Sequence, residues 1–423
     1  MRPHGVLLVL PPVGPLDLYA VPEQNLASDR LAWKKRLTRV PQGLLSIATW
    51  LHQNSYSVRI FDSRLHLKTL QHDLCKAINE TRLYVGISVL TMHIDFALKL
   101  NQLVKQVNPN LPVVWGGVHP TLYPEQTAQE LSIDYIVQGE GENTLLELAQ
   151  KLSRKQKPER LNTLGKPFDI NLLETPYYEA LEIGEYLKKR RYNPDGEVIG
   201  IDYNGSRGCC FDCAFCINHV LPQQHVWRGR NPEKIGLDLQ HTKERFGVEY
   251  VFLEEEYPFA NRKRSLLLAE EMKKLNVTWS GNIRADVACH DSALLRVLYE
   301  SGWRETSIGA ESGSNRMLKY LRKGITKEQT LETAKNLNEL GVYALYSFMT
   351  DLPTETQTEK LETFQLMRRL KRIHPNSEFI GPQAYRLYPK TEWYETEKQA
   401  GRFQEPESLQ GWVSSGLAEY YAA

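Results

Sequence analysis

The segment Ser206–His219 reads SRGCCFDCAFCINH and contains four of the six cysteines of this 423-residue chain. It follows a short apolar run, Ile199–Tyr203, that is predicted to be a β-strand. Strand-like runs alternate with helical patterns on both sides of this loop. The loop therefore divides the sequence into two α/β regions.

Three of these cysteines, Cys209, Cys213 and Cys216, have the spacing C-x3-C-x2-C. A structural zinc ion needs a fourth ligand, which His219 offers. An iron–sulfur cluster takes one thiolate per iron, so three cysteines leave one iron of a [4Fe–4S] cluster open to another ligand. All of the thiols lie on one loop, whereas zinc knuckles join two short pairs, and this favours the cluster over zinc.

The region before the loop is predicted to form an open, doubly wound parallel sheet. Its strands are short, nearly continuous and β-branched, as expected for strands covered on both faces. Helical patterns with one apolar face separate them. The five predicted strands are Val6–Leu10, Val58–Phe61, Tyr84–Val89, Val113–Trp115 and Tyr135–Val137.

The region after residue 195 is predicted to form a partial (β/α)6 barrel, because six strand-like runs alternate with helices. These runs are Ile199–Tyr203, Tyr250–Leu253, Thr278–Asn282, Thr306–Ala310, Val342–Phe348 and Phe379–Tyr385. We predict four parts along the chain: an α/β domain over 1–150, a bridging segment over 151–195, the barrel over 196–395 and a short tail over 396–423.

Composition narrows the class of partner and the compartment. The chain has 52 basic and 51 acidic residues, so nucleic acid is not an expected partner. Its longest apolar run, Gly5–Gly14, is too short to span a bilayer and lacks a small-residue cleavage site. We therefore expect a cytoplasmic protein without a transmembrane segment, and in a reducing compartment a tight cysteine cluster more often binds metal than forms disulfides.

The motif CCFDCAFC resembles the signature of the radical S-adenosylmethionine (SAM) superfamily, and the preceding SRG is typical of its cobalamin-binding branch. That branch includes methyltransferases and the anaerobic magnesium-protoporphyrin monomethyl ester cyclase. The resemblance extends roughly from Val6 to Thr391. Its blocks include PQGLLSIATWL, WGGVHPTLYPE, DYIVQGEGENTLLEL, GNIRAD and SIGAESGSNRMLKYLRKGIT.

The resemblance implies a [4Fe–4S] cluster ligated by Cys209, Cys213 and Cys216, with SAM on the fourth iron. It implies that Glu254 and Glu255, after the second barrel strand, bind SAM and that Arg284 pairs with the SAM carboxylate. It also implies that Glu311, after the fourth strand, contacts the ribose or acts near the radical, and that Phe215 lies beside the adenine. Arg284 has an alternative, an ion pair with Asp286.

The same resemblance implies cobalamin at the carboxyl ends of the N-terminal strands, where glycines allow a flat ligand to approach the backbone. The implied contacts are Pro11, Pro12, Ser88, Gly116, Gly117, Val118, His119, Gly139 and Glu140. Tight strand-to-helix turns are the alternative for any single glycine. The D-x-H-x-x-G motif that supplies a cobalt ligand elsewhere is absent, since DSRLH (Asp62–His66) does not fit it, and His93 and His119 remain untested as ligands.

These residues predict a cobalamin-dependent radical SAM enzyme that methylates an unactivated carbon through a 5′-deoxyadenosyl radical and methylcobalamin. The alternatives are a radical cyclase or oxidoreductase and, from another class, a zinc-stabilised binding protein. Expected partners are a small-molecule, lipid, tetrapyrrole or peptide substrate and an electron donor such as flavodoxin or ferredoxin. The tail over 396–423 is too short to form the C-terminal domain that covers the substrate in many relatives.

Overall fold

The structure, a computed structural model, describes residues 4–12, 39–162, 164–187, 189–193 and 196–415. The described residues fall into two compact units. Unit 1 contains those within 4–186, 221–223 and 403–415, and unit 2 contains those within 187–220 and 224–402. The four-part division predicted above stays a prediction.

Unit 1 is built on a five-stranded sheet in the order β2-β1-β3-β4-β5, and all of its strand pairs are parallel. β1, β3 and β4 are almost completely buried, which is why their sequences are continuous apolar runs rather than alternating ones. The strands are β1 (His4–Leu10), β2 (Val58–Asp62), β3 (Thr81–Ser88), β4 (Val113–Gly116) and β5 (Tyr135–Ile136).

Six helices accompany this sheet. The first packs against the sixth, and the second packs against the third, as in a doubly wound sheet with two helical layers. The helices are α1 (Gln42–Gln53), α2 (Leu70–Asn79), α3 (Ile94–Val107), α4 (Val118–Leu122), α5 (Pro124–Ala128) and α6 (Glu142–Ser153). The predicted fold of the N-terminal region is thereby confirmed.

Unit 1 also contains chain from beyond its sheet. Residues 154–186 contribute short 3₁₀ turns, and Tyr186 donates a 2.6 Å hydrogen bond to Asp62 at the end of β2. Near the other end of the chain, helix α15 (Leu409–Ser414) packs against α3. Trp412 of α15 is completely buried.

Unit 2 contains a seven-stranded sheet in the order β14-β13-β12-β11-β10-β7-β6. Six strands run parallel in sequence order, and β6 pairs with β7 antiparallel. This arrangement confirms the predicted partial barrel and adds β6, which the sequence did not predict. The strands are β6 (Lys189–Asn193), β7 (Gly196–Tyr203), β10 (Tyr250–Leu253), β11 (Thr278–Gly281), β12 (Trp303–Glu311), β13 (Tyr343–Thr350) and β14 (Ser377–Ala384).

The helices of unit 2 mostly begin at side-chain caps. Thr326 and Thr356, for example, form capping boxes with Gln329 and Glu359. The helices are α7 (Pro232–Phe246), α8 (Arg262–Leu275), α9 (Ala285–Ala288), α10 (Ser292–Glu300), α11 (Asn315–Tyr320), α12 (Lys327–Leu340), α13 (Gln357–Ile373) and α14 (Glu392–Gln399). No helix among the described residues has both the length and the apolar character that a bilayer crossing requires.

Candidate active site

The cysteine loop is closed at its base by a small antiparallel ribbon. Strand β8 (Ser206–Arg207) pairs with β9 (Arg228–Gly229), and the loop lies between them. Gly208 opens the loop at a φ of 78°, where an added Cβ would lie 2.9 Å from the Gln224 carbonyl oxygen. Only glycine adopts this conformation at so close an approach without strain.

Backbone hydrogen bonds and apolar packing then fix the loop. The amide of Cys209 donates to the Gln224 carbonyl at 2.9 Å, and the amide of Cys216 donates to the Cys213 carbonyl at 3.0 Å. Ala214 donates to the Leu321 carbonyl at 3.0 Å. The apolar side chains of the loop join a buried cluster formed by Ala214, Met317, Leu321, Leu352 and Trp393, with Phe215 packed against it.

The thiols of this loop are free and differ in burial. Cys213 is buried, Cys209 and Cys216 are half-buried, and Cys210 is exposed. Burial raises the pKa of the Cys209 and Cys216 thiols, and the nearby Cys213 raises both further. Cys209, Cys213 and Cys216 lie within one eight-residue stretch of this loop.

These thiols fit an iron–sulfur cluster. Among the residues that the structure describes, no three His, Cys, Asp or Glu side chains surround one metal-ion position. A cluster does not require such convergence, because each thiolate binds its own iron. Neighbouring, reduced thiols on one rigid loop are the donor set that a three-cysteine cluster needs, and Cys209, Cys213 and Cys216 would hold it.

Glu255, predicted to bind SAM, lies beneath the loop. It is 3% exposed, and its carboxylate accepts hydrogen bonds from the Gly205 amide at 2.8 Å and from the Ser206 hydroxyl. Burial raises the pKa of Glu255, and the Arg264 guanidinium opposes that rise. Arg264 also donates to the Gly205 carbonyl at 2.7 Å. In this structure Glu255 supports the loop, whereas Glu254, at the end of β10, is only partly buried.

Arg284 is already engaged on three sides. Its Nε donates to Asp286 Oδ1 at 3.0 Å, which is the alternative that the sequence left open. Its Nη2 donates to the Lys323 carbonyl at 2.7 Å, and its guanidinium carbon lies 3.5 Å from the ring centroid of Phe211 in the cysteine loop. The arginine predicted for the SAM carboxylate therefore lies beside the thiols and is held in place there.

Glu311 ends β12 in the left-handed region, at a φ of 61°. Its Oε1 lies 2.7 Å from Nζ of Lys323, and both side chains are largely buried. Non-glycine residues at positive φ are uncommon and are often found at functional sites. The structure thus places the predicted catalytic carboxylate at the carboxyl edge of the sheet, in an ion pair that the sequence did not reveal.

In unit 1, the predicted cobalamin contacts lie at or just after the carboxyl ends of β1, β3, β4 and β5, with Ser88 and Gly116 as the last residues of β3 and β4. The turn after β4 is especially tight, because Gly117 has a φ of 98° and an added Cβ would lie 2.9 Å from the Val89 amide nitrogen. Val118 then begins α4, and the His119 amide donates to the Val89 carbonyl at 3.0 Å. The predicted set comprises Pro11, Pro12, Ser88, Gly116, Gly117, Val118, His119, Gly139 and Glu140; residues 13 and 14 of the PPVG motif lie outside the described residues.

Three buried polar atoms at this edge find no hydrogen-bond partner among the described residues: Nε2 of His119, Nε2 of His93 and Oγ of Ser63. Burial lowers the pKa of His119 to about 3 and that of His93 to about 4, so both rings are neutral at pH 7. His66 of the DSRLH segment lies between Asp73 and Glu182, at 3.1 and 3.0 Å. Unsatisfied polar groups beside close-approach glycines fit a large polar ligand at this edge.

Two family models match the chain. The B12 binding domain model covers residues 37–149, and the Radical SAM superfamily model covers residues 203–367.

Relatives and solved structures agree with these matches. An uncharacterized methyltransferase of Pyrococcus horikoshii is 29% identical over 387 residues, which are 88% of this chain and 79% of that protein. The anaerobic magnesium-protoporphyrin IX monomethyl ester cyclase of Rubrivivax gelatinosus is 29% identical over 67% of this chain, which spans only 54% of the cyclase. The cobalamin-dependent SAM radical enzyme OxsB, solved with aqua-cobalamin and SAM, has the same fold, with a TM-score of 0.73, 17% identity, and coverage of 95% of this chain and 61% of OxsB.

Proposed function

This chain belongs to the radical SAM superfamily and carries a B12-binding domain, and from that premise we propose that it methylates an unactivated carbon of its substrate. It is a cobalamin-dependent radical SAM enzyme, and its cofactors are a [4Fe–4S] cluster, SAM and cobalamin. When bound, the cluster and SAM supply a 5′-deoxyadenosyl radical, and methylcobalamin supplies the methyl group. The proposal is supported mainly by the methyltransferase of Pyrococcus horikoshii, whose similarity extends over both domains.

We assign the cofactor contacts by residue. Cys209, Cys213 and Cys216 hold three irons, and Cys210 does not take part. Glu311 lies toward the reacting groups. SAM contacts are assigned to Glu254, Arg284 and the backbone around Phe215, and Glu255 supports the loop from below. Cobalamin is held by the carboxyl edge of the unit 1 sheet, where Gly117 permits close approach. We retain the predicted four-part division, with domains over 1–150 and 196–395, as part of this proposal.

The partners are also proposals. A cytoplasmic, reducing location suits free thiols, and an electron donor such as flavodoxin or ferredoxin would reduce the cluster. The substrate is a small molecule, lipid, tetrapyrrole or peptide. Among these, the similarity to the cyclase favours a tetrapyrrole.

The test is an anaerobic reaction of the reconstituted protein with SAM, cobalamin, dithionite and candidate substrates or cell extract, followed by mass spectrometry. Methyl transfer predicts a methylated product together with S-adenosylhomocysteine and 5′-deoxyadenosine, because a second SAM restores methylcobalamin. A colourless protein with stoichiometric zinc would instead support the zinc-stabilised binding protein.

The second candidate is a radical cyclase or oxidoreductase, and the similarity to the cyclase of Rubrivivax gelatinosus favours it. In that case the same reaction yields 5′-deoxyadenosine without S-adenosylhomocysteine and without added methyl mass. A SAM methyl label that never reaches any product would rule out the methyl-transfer proposal.

A further inference from the structure

Lys323 is a buried cation beside the cysteine loop. Its side chain is 13% exposed, and its Nζ lies 2.7 Å from Glu311 Oε1 and 5.7 Å from the ring centroid of Phe215. Phe215 immediately precedes Cys216. The aliphatic part of Lys323 and its charge are thus fixed between the end of β12 and the last cysteine of the loop.

The backbone of Lys323 is fixed as well. Arg284 donates to its carbonyl at 2.7 Å and lies over the second phenylalanine of the loop, Phe211. Each phenylalanine of the loop therefore has one cation over its ring. Cation–π contacts and charge-assisted bonds hold a side chain more firmly than solvent-exposed contacts do.

Lys323 and Cys216 are both next to Phe215. The Nζ of Lys323 lies 5.7 Å from the ring centroid of Phe215, and Cys216 follows Phe215 directly in the chain. Arg284 lies in the same way over Phe211, which is two residues after Cys209. Charge interactions in a largely buried site are screened less than those at the surface.

From this geometry we infer that Lys323 is a positioning residue that raises the one-electron reduction potential of the cluster held by the loop. The inference rests on the proposed ligand set. Reduction adds one electron, taken from an external one-electron donor, and forms no bond. The added negative charge is stabilised by a fixed cation beside Cys216, and Glu311, which carries the opposite charge, limits this effect.

The experiment is a dithionite titration of the reconstituted protein without SAM, followed by electron paramagnetic resonance of the reduced cluster. For Lys323→Gln we expect reduction to become on the order of tenfold less favourable, a shift of about 59 mV to lower potential for a one-electron couple. Lys323→Arg should restore the potential because it restores the charge. Glu311→Gln should shift the potential in the opposite direction, to higher values.

Lys327→Gln is the matched control, because Lys327 pairs with Glu362 at 3.3 Å and contacts no residue of the loop in the structure described here. Its potential should equal that of the wild type. A Lys323→Gln protein with full iron content and unchanged potential overturns the inference alone. If Lys323→Gln loses its cluster, the titration of Glu311→Gln is the test. A Glu311→Gln potential equal to or lower than that of the wild type overturns the inference. A wild-type protein that takes up no cluster overturns the ligand set as well.

Discussion

At the scale of single residues, the four cysteines of the loop have different expected roles. Each of Cys209→Ala, Cys213→Ala and Cys216→Ala should lose most iron and sulfide after anaerobic reconstitution, because each change removes the ligand of one iron. Cys210→Ala makes the same chemical change at an exposed position and should keep both. Iron and sulfide assays together with an absorbance spectrum measure the cluster content of each variant. Equal loss in Cys210→Ala would contradict the ligand set.

His119 predicts a pH dependence of stability. Its pKa is about 3 in the folded chain, below the ordinary value of 6.5. Between these values the unfolded chain binds a proton that the folded chain does not, so stability falls as pH decreases from 6.5 toward 3. The loss from this one group approaches about 1.4 kcal/mol per pH unit.

Urea unfolding of the protein without cofactors between pH 5 and 7 measures this dependence. His119→Gln should show a shallower loss on acidification than the wild type, because it removes one titrating group. Parallel curves for the two proteins would show that His119 does not contribute.

The sequence predicted which side chains lie near the site more successfully than it predicted their partners. Arg284 was expected to pair either with SAM or with Asp286; the structure shows the ion pair with Asp286, and the SAM contact stays a prediction. Lys323 was not predicted, because its contact depends on the left-handed backbone at Glu311, which a glutamate does not signal in sequence. Glu255 was assigned to SAM from the family resemblance, and its hydrogen bonds with the Gly205 amide and the Ser206 hydroxyl leave no local signal in the sequence.

At the scale of secondary-structure elements, the end of β12 is sensitive to the addition of one methyl group at Gly309. An added Cβ at Gly309 would lie 2.6 Å from Nζ of Lys323 and would also meet the Glu311 carboxylate. Gly309→Ala should therefore displace the ion pair and destabilise unit 2 by about 1 kcal/mol, since both atoms end flexible side chains. It should also change the cluster potential, because it moves the charges of Lys323 and Glu311.

Thermal unfolding and the redox titration measure these two effects. Gly43→Ala is the control: it lies in α1 with nothing within 4 Å of an added Cβ. It should stabilise by roughly 0.5–1 kcal/mol, because alanine is the better helix former. A cluster potential in Gly309→Ala equal to that of the wild type would mean that the ion pair tolerates the extra methyl group.

The strand boundaries could be predicted closely where burial is complete. The predicted strand over Tyr250–Leu253 is β10 itself, because its run is too short for a helix and rich in aromatic and β-branched residues. The ribbon of β8 and β9 could not be predicted. Its strands have two residues each and pair across the entire cysteine loop, so no periodicity records them.

At the scale of the whole molecule, Trp412 is the main contact of α15 within unit 1. Its ring centroid lies 5.6 Å from that of His119 and 5.2 Å from that of Tyr123, and its Nε1 donates to Gln126 at 2.8 Å. Trp412→Ala should destabilise unit 1 by roughly 3–5 kcal/mol, because it removes a fully buried indole. Thermal unfolding should show a lower transition temperature for Trp412→Ala than for the wild type.

Trp412→Phe keeps most of the packing and should cost less than the alanine change. Leu131→Ala is the control, since Leu131 is 85% exposed, and it should leave stability nearly unchanged. If Trp412→Ala behaved like Leu131→Ala, α15 would contribute nothing to unit 1.

The return of residues 403–415 to unit 1 could not be predicted from the sequence, which predicted a short tail over 396–423. Tail residues such as Trp412 and Leu409 resemble any short amphipathic segment, and their partners Gln126 and Tyr123 lie far away along the chain. Contacts of this kind depend on tertiary packing and leave no local periodicity. The two α/β regions could be predicted because their patterns are local.

This last packing has a consequence for synthesis on the ribosome. The sheet of unit 1 is translated first, but the Trp412 indole that covers His119 lies far downstream in the sequence. At typical elongation rates of about 5–20 residues per second, tens of seconds separate the two. During that interval the nascent domain exposes the surface that Trp412 later buries.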